Sequence, residues 1–437
     1  MNRARRVAAV LLVTFAVQPI ASAAAVPPPD VDPGLLRPPA PPAPAGRTEQ
    51  RQPCYRAPVL DTAPATGNPL GLDAVWPLTR GAGQTIAVID TGVARHRLLP
   101  HLIGGGDYVS HGDGTSDCDG HGTIVAGIAA AALSSGFGGV APEAAILAIR
   151  QSSTKFATEG GSTGVGDVDS LADAVRTAAD LGASVINIAA PACVAATSLP
   201  DDGALGAALG YAVDVRNVVV VAAAGNVGAH CPQQETGRAD WDGVRSVSTP
   251  GWYDDLVLCV GSVGTDGVAS DFSLAGPWVD VAAPGENVVS LNPDGQHLVD
   301  TVGRDAPLSG TNYAAPLVAG VAALVRSRFP HLTAREVMRR IEDTARPPSD
   351  GWNPTVGHGV VDALAAVSAG ISPTTRAASA PVSVSAPVST AADSVPRRLA
   401  FGGAAACLTA AVVVPLVLSA WRSRRLGSPA RQRIAGD

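Results

Sequence analysis

The chain has 437 residues, is 46% hydrophobic but only 4% aromatic, and carries a formal net charge of -7. That charge is uneven: residues 1–23 hold +3 and residues 422–437 hold +4, which leaves -14 on everything between. An acidic body with one lysine, Lys155, excludes a surface built for nucleic acid, whose affinity rests on clustered Lys and Arg.

At the amino end, MNRARR followed by VAAVLLVTFAV reads as a basic region and an apolar run, and Ala21-Ser22-Ala23 as a cleavage signal. Residues 1–23 are therefore expected to be a signal peptide; an uncleaved anchor is the alternative, but the apolar run is short for a span. Residues 24–69 form an N-terminal arm whose first part contains PPP and RPPAPPAPAG. Such a segment cannot build a core and favours extended polyproline conformations. It is either a propeptide or wrapping arm, or a plain spacer.

From residue 70 to 370 the pattern is that of a single α/β domain. TIAVID (85–90) reads as a short buried strand. Leu171, Ala174, Val175, Ala178 and Leu181 recur at helical spacing before Gly182, and SVINIA follows as a strand. Leu205, Ala208, Leu209, Ala212 and Val213 repeat the helical period ahead of the strand VVVVAAAG. Near-continuous apolar strands alternating with amphipathic helices imply a doubly wound, mostly parallel sheet covered on both faces. Ligands of such sheets sit at the carboxyl ends of the strands. The polar residues there are Asp90, closing TIAVID, and Asn226, closing VVVVAAAGN.

Residues 371–398, rich in Ser, Ala, Pro and Val, read as a stalk. Leu399 to Trp421 is long enough to cross a bilayer core of about 30 Å, with Arg397 and Arg398 before it and Arg422, Arg424 and Arg425 after it. The heavier basic load places residues 422–437 in the cytoplasm and the domain outside, a single-pass type I topology at the cell membrane. Cys407 lies in that span, and Cys259, in LVLCVGSV, reads as a buried free thiol. Cys54, Cys118, Cys193 and Cys231 would then face an oxidising compartment, with three pairings open to them.

Three segments carry the chemistry: AVIDTG with Asp90, DGHGTIVAG with His121, and SGTNYAAPLVAG with Asn312. With AAAGN around Asn226 they resemble the subtilisin-like serine proteases over roughly residues 70–368. The resemblance implies that Asp90 orients His121, that His121 acts as general base and then acid, and that Asn226 donates to a developing oxyanion. The third motif departs from the family, which has serine after Gly-Thr; here Gly310-Thr311 is followed by Asn312. An amide oxygen has no proton for the imidazole to abstract and is a poor nucleophile. In subtilisin, losing the nucleophile costs about 2 × 10⁶ in turnover, roughly 8–9 kcal/mol of barrier. Ser309 lies three residues upstream, up to about 10 Å away in extended chain, too far to substitute. Asn312 is instead expected to serve as the N-cap of a buried helix over Tyr313–Val325. The family's substrate edge has Ser-Leu-Gly after the strand, whereas Ala189-Ala190-Pro191 follows Ile188 here, and proline has no N–H to pair with a peptide.

The signal peptide, Pro-rich arm, C-terminal span, basic tail and the four cysteines resemble the mycosins, membrane-anchored subtilases of type VII secretion. That resemblance implies the disulfides Cys54–Cys118 and Cys193–Cys231, and membrane-embedded channel components of a type VII system as partners. Two functional readings follow. One is a pseudoprotease that stabilises or caps the secretion complex; the alternative is an active serine endopeptidase that processes exported proteins. No cofactor or metal is expected. Asp113, Asp117 and Asp119 cluster before His121, but their spacing fits no calcium loop and reads as a solvated acidic loop.

Overall fold

Short runs of Val, Ile and Ala become the strands of one parallel sheet: β1 (Thr85–Asp90), β2 (Leu102–Asp107), β3 (Ala145–Arg150), β4 (Val185–Ile188), β5 (Val219–Ala223), β6 (Leu258–Val263) and β7 (Val281–Pro284). Every residue of β4, β5 and β6 is buried, so both faces are covered, which is why these strands do not alternate. The spatial order is β7-β6-β5-β4-β1-β3-β2, with all neighbours parallel. The order reverses at β1, so the crevice beyond Asp90 is a topological switch point. The computed structural model describes residues 26–60 and 70–368, except 135, 162, 229–230, 235–240, 242 and 304–305. The expected signal peptide, stalk, membrane span and basic tail lie outside the described residues, among which no helix is long and apolar enough to cross a membrane.

The longer helices among the described residues are α1 (His121–Ala130), α2 (Val168–Asp180), α3 (Gly203–Gly210), α4 (Thr311–Arg328) and α5 (Ala334–Thr344). α1 and α4 pack on each other and on the sheet, while α2 packs on α3 and on β1 and β3. In α2 a capping box joins Asp167 to Ser170, and Leu171, Ala174, Val175 and Ala178 are buried as their spacing requires. Leu181 is not on that face: it lies past the last turn and is 54% exposed, because Gly182 takes a left-handed φ and ends the helix there. α3 continues as a π turn, Tyr211–Val215, which keeps Ala212 and Val213 buried. α4 starts two residues earlier than its pattern suggests. Gly310 is its N-cap, so Asn312 is inside the first turn rather than capping it.

The arm is a strap rather than a spacer. Asp32 caps a single 3-10 turn, Pro33–Leu35, which lies against α3. Arg37 then pairs with Asp169 and Asp173 of α2, and Arg176 donates to the Arg37 carbonyl. Thr48–Gln50 adds an antiparallel strand to Ser153–Thr158. The Cys54–Cys118 disulfide ties the strap to the segment before His121, and Leu60 bridges to Leu298. The second disulfide is Cys193–Cys231, and Cys259 is a buried free thiol.

α5 carries an unfavourable charge. Burial first, then the charges of Asp343 and Asp254, push the Glu342 carboxyl up to about 7, with Arg339 opposing. An acid near a helix C-terminus also opposes the macrodipole. The folded state therefore holds this proton where the unfolded chain has lost it, and stability declines as pH rises from the ordinary glutamate range through about 7. Glu342→Gln is expected to raise stability at pH 8 by on the order of 1–2 kcal/mol and to change little at pH 4. Thermal unfolding at the two pH values checks this, and an equal effect at both would contradict it.

Candidate active site

Four segments converge beyond the switch point. Asp90 is 1% exposed at the end of β1, where its Oδ1 accepts from Thr91 N at 2.7 Å and lies 2.7 Å from His121 Nδ1. His121 is the first residue of α1. The helix start can press on the loop after β1 because residue 122 is glycine; a Cβ there would lie 2.0 Å from the Gly92 carbonyl oxygen. Asn226 follows β5 and is held by a bridge to Ser273. Asn312, in the first turn of α4, reaches both of the others: its Nδ2 is 2.8 Å from His121 Nε2, and its Oδ1 accepts from Asn226 Nδ2 at 3.1 Å. Gly310 leaves room for this amide, since a Cβ would meet Asn312 Oδ1 at 2.0 Å.

The direction of each bond follows from one unambiguous donor. Thr311 N–H donates to Asn226 Oδ1 at 3.0 Å, and a backbone N–H can only donate. Asn226 therefore presents Nδ2 as donor, Asn312 must accept through Oδ1, and its Nδ2 must donate to His121 Nε2. An imidazole nitrogen that accepts is unprotonated, so His121 is neutral with its proton on Nδ1, donated to Asp90. Burial disfavours the imidazolium, but the charge and hydrogen bond of Asp90, with Asp117 and Asp119 behind it, hold the His121 pKa above its ordinary value. The amide chain pulls the other way, because protonation of Nε2 removes the acceptor on which Asn312 depends.

The Subtilase family model matches residues 81–359. Mycosin-4 of Mycobacterium tuberculosis is 56% identical over 434 residues, covering 94% of each chain, and Mycosin-3 of the same organism is 44% identical over 426 residues, 89% of this chain and 92% of the relative. The chain belongs to the mycosin family of subtilases. Among solved structures, the MycP3 protease from the type VII (ESX-3) secretion system superposes with a TM-score of 0.74 at 44% identity, over 79% of this chain and 100% of that one. A chain of an intact ESX-5 inner membrane complex superposes with a TM-score of 0.75 at 38% identity, over 90% of this chain and 100% of its own.

In this mycosin-family chain the four residues expected from sequence, Asp90, His121, Asn226 and Asn312, do come together. Ser309 does not join them: its Oγ accepts from Asn287 N at 3.2 Å. The acidic loop differs from the solvated cluster expected. Asp117 has both oxygens engaged by Thr91, Gly120 and Thr123, and Asp119 accepts from Ser153 and Thr154; only Asp113, bound to Thr115, remains exposed. Among the described residues no group of three or more His, Cys, Asp or Glu is arranged to hold a metal.

Three threonines escaped the sequence reading. Thr91 Oγ1 accepts from Gly122 N, Thr123 Oγ1 from Ala94 N, and Thr311 Oγ1 from Gly225 N. The signal was present, since each motif carries a threonine within two residues of its polar member, at helix starts and strand ends where a hydroxyl can bond backbone.

The chain of donors makes a sharp prediction. Asn312→Asp gives Asn226 Nδ2 an acceptor and offers His121 Nε2 an acceptor instead of a donor. His121 should then remain protonated to a pH at least about one unit higher than in the native chain. A ¹⁵N titration of the imidazole nitrogens reads this, and an unchanged or lower midpoint would rule out the assigned polarity.

Proposed function

We propose that this chain is a non-cleaving mycosin, a membrane-tethered component of a type VII secretion inner-membrane complex whose subtilisin-like domain works as a structural part on the extracytoplasmic side. The observation that carries this reading is the double contact of Asn312. Asp90 and His121 take the positions of a protease acid–base pair, Asn226 that of an oxyanion donor, and Asn312 that of the nucleophile. An attacking hydroxyl would have to lie within about 2.6–3.2 Å of His121 Nε2. That place is filled by the Asn312 amide nitrogen at 2.8 Å, and the same side chain's oxygen occupies Asn226 Nδ2. Proton acceptor and oxyanion donor are both engaged internally, and the occupying group can neither give up a proton to the imidazole nor form an acyl intermediate.

The partner assignment rests on the likeness to the ESX-5 inner membrane complex and its periplasmic assembly, together with the signal peptide and C-terminal span expected from sequence. A scaffold needs a rigid exterior, and the strap with its Cys54–Cys118 disulfide, together with Cys193–Cys231 elsewhere in the domain, supplies one.

The competing reading, an endopeptidase acting on exported proteins, draws on the intact Asp90–His121 contact of 2.7 Å. Labelling of the full chain with a serine-reactive fluorophosphonate separates the two. The native chain is expected to stay unlabelled and Asn312→Ser to react at residue 312. Labelling of the native chain at any serine, with cleavage activity lost on its mutation, would establish the endopeptidase.

A further inference from the structure

Asp117, four residues before His121, bridges the two members of the acid–base pair. Its Oδ1 accepts from Thr91 Oγ1 at 2.9 Å and Gly120 N at 2.7 Å. Its Oδ2 accepts from Thr123 N at 2.9 Å and Thr123 Oγ1 at 2.6 Å. Thr91 is the residue after Asp90, while Gly120 and Thr123 flank His121. One carboxylate thus holds the end of β1 and both sides of the imidazole's attachment to α1. The bracing is doubled, because Thr91 Oγ1 also accepts from Gly122 N at 3.0 Å and Thr123 Oγ1 from Ala94 N at 2.9 Å. α1 has no side-chain cap from its own N-cap residue, Gly120, so Asp117 and Thr91 satisfy first-turn N–H groups that would otherwise lack partners.

We infer that Asp117 is a positioning residue: through Thr91 and Thr123 it fixes the distance and angle between the Asp90 carboxylate and the His121 imidazole. Four donors on two oxygens define a rigid geometry, and they need a full carboxylate. In Asp117→Asn the amide nitrogen would face donors where an acceptor is required. β1 and α1 pack on each other, but among the described residues no backbone–backbone hydrogen bond joins them, so the side chains of Asp117, Thr91 and Thr123 supply the hydrogen bonds between the two. Asp119 does a different job, binding Ser153 and Thr154 at the start of the strand that receives the strap.

The inference rests on Asp90 and His121 forming the acid–base pair of the proposed function, so its test avoids any dependence on residue 312 as a nucleophile. Diethyl pyrocarbonate modifies the unprotonated imidazole, and the rate at His121, followed by peptide mass spectrometry on the full chain across pH, gives the midpoint of that residue. The charged groups facing it are Asp90, Asp117 and Asp119. A well-aligned Asp90 favours the imidazolium, so misalignment lowers the midpoint. Asp117→Asn and Thr91→Val should each lower it, Asp117→Asn by about one pH unit or more, and Thr91→Ser should restore the native value. If Asp117→Asn fails to fold, the Thr91→Val and Thr91→Ser pair decides, because both keep the carboxylate. A native midpoint in folded Thr91→Val, whatever its loss of thermal stability, would reduce Asp117 to a helix cap and overturn the inference. Labelling of the native chain by fluorophosphonate at a serine whose mutation abolishes cleavage would overturn the proposed function but leave this profile intact.

Discussion

The Thr311 backbone N–H governs the polarity of the whole site. Asparagine amides and imidazole are ambivalent partners, able to turn either way, and a chain of them has two self-consistent directions. A fixed donor at one end leaves only one. From Thr311 the direction passes through Asn226 and Asn312 to His121 and ends on the Asp90 carboxylate, an acceptor only. Both ends therefore agree. Each such bond contributes about 1 kcal/mol net, but reversing a member would leave two donors or two acceptors facing each other in a partly buried site, which costs more than the bond is worth.

The architecture exists to hold the ends of that chain. Asp90 and Asn226 follow β1 and β5, while His121 and Asn312 lie in the first turns of α1 and α4, which pack on each other and on the sheet. Polar side chains placed at element ends are set by backbone register rather than by their own flexible torsions. Thr91, Thr123 and Thr311 then pin strand end to helix start. The strap enters the same region: Cys54 is bonded to Cys118, three residues before His121, and Tyr55 donates to the Thr301 carbonyl.

Local patterns were legible because local physics decides them. The strands TIAVID and VINI, the helical periods before Gly182 and through Val213, and the four polar residues at the crevice all follow from apolar spacing and motif order. The disulfides came through family resemblance, since spacing left three pairings open. Two readings failed for one reason. Asn312 looked like a cap because asparagine has that intrinsic preference, but its amide found stronger tertiary partners in His121 and Asn226. Asp117 looked solvated because acidic clusters in Gly-rich loops usually are, but its acceptors were claimed by threonines and backbone N–H groups of two other segments. The partners of Asn312 lie 86 and 191 residues away, and Asp117 needs Thr91, 26 residues upstream, as well as Gly120 and Thr123 close by. Leu181 failed differently, because a helix boundary one residue early removed it from the face its period had given it.

On the proposed reading, asparagine at residue 312 differs in kind from simple deletion of a catalytic group. Alanine there would remove the nucleophile and leave Asn226 Nδ2 and His121 Nε2 without a protein partner. Asparagine supplies an acceptor to one and a donor to the other, in the order the Thr311 N–H demands. On the proposed reading this is what a structural subunit requires. The crevice of a protease must keep its polar groups free for a substrate, at a cost in stability that turnover justifies. A subunit with no turnover gains by satisfying those groups internally, and a two-ended side chain of suitable length at the nucleophile position does so while the surrounding helices, threonines and glycines stay as they are. The same preorganisation that would serve a transition state then serves rigidity.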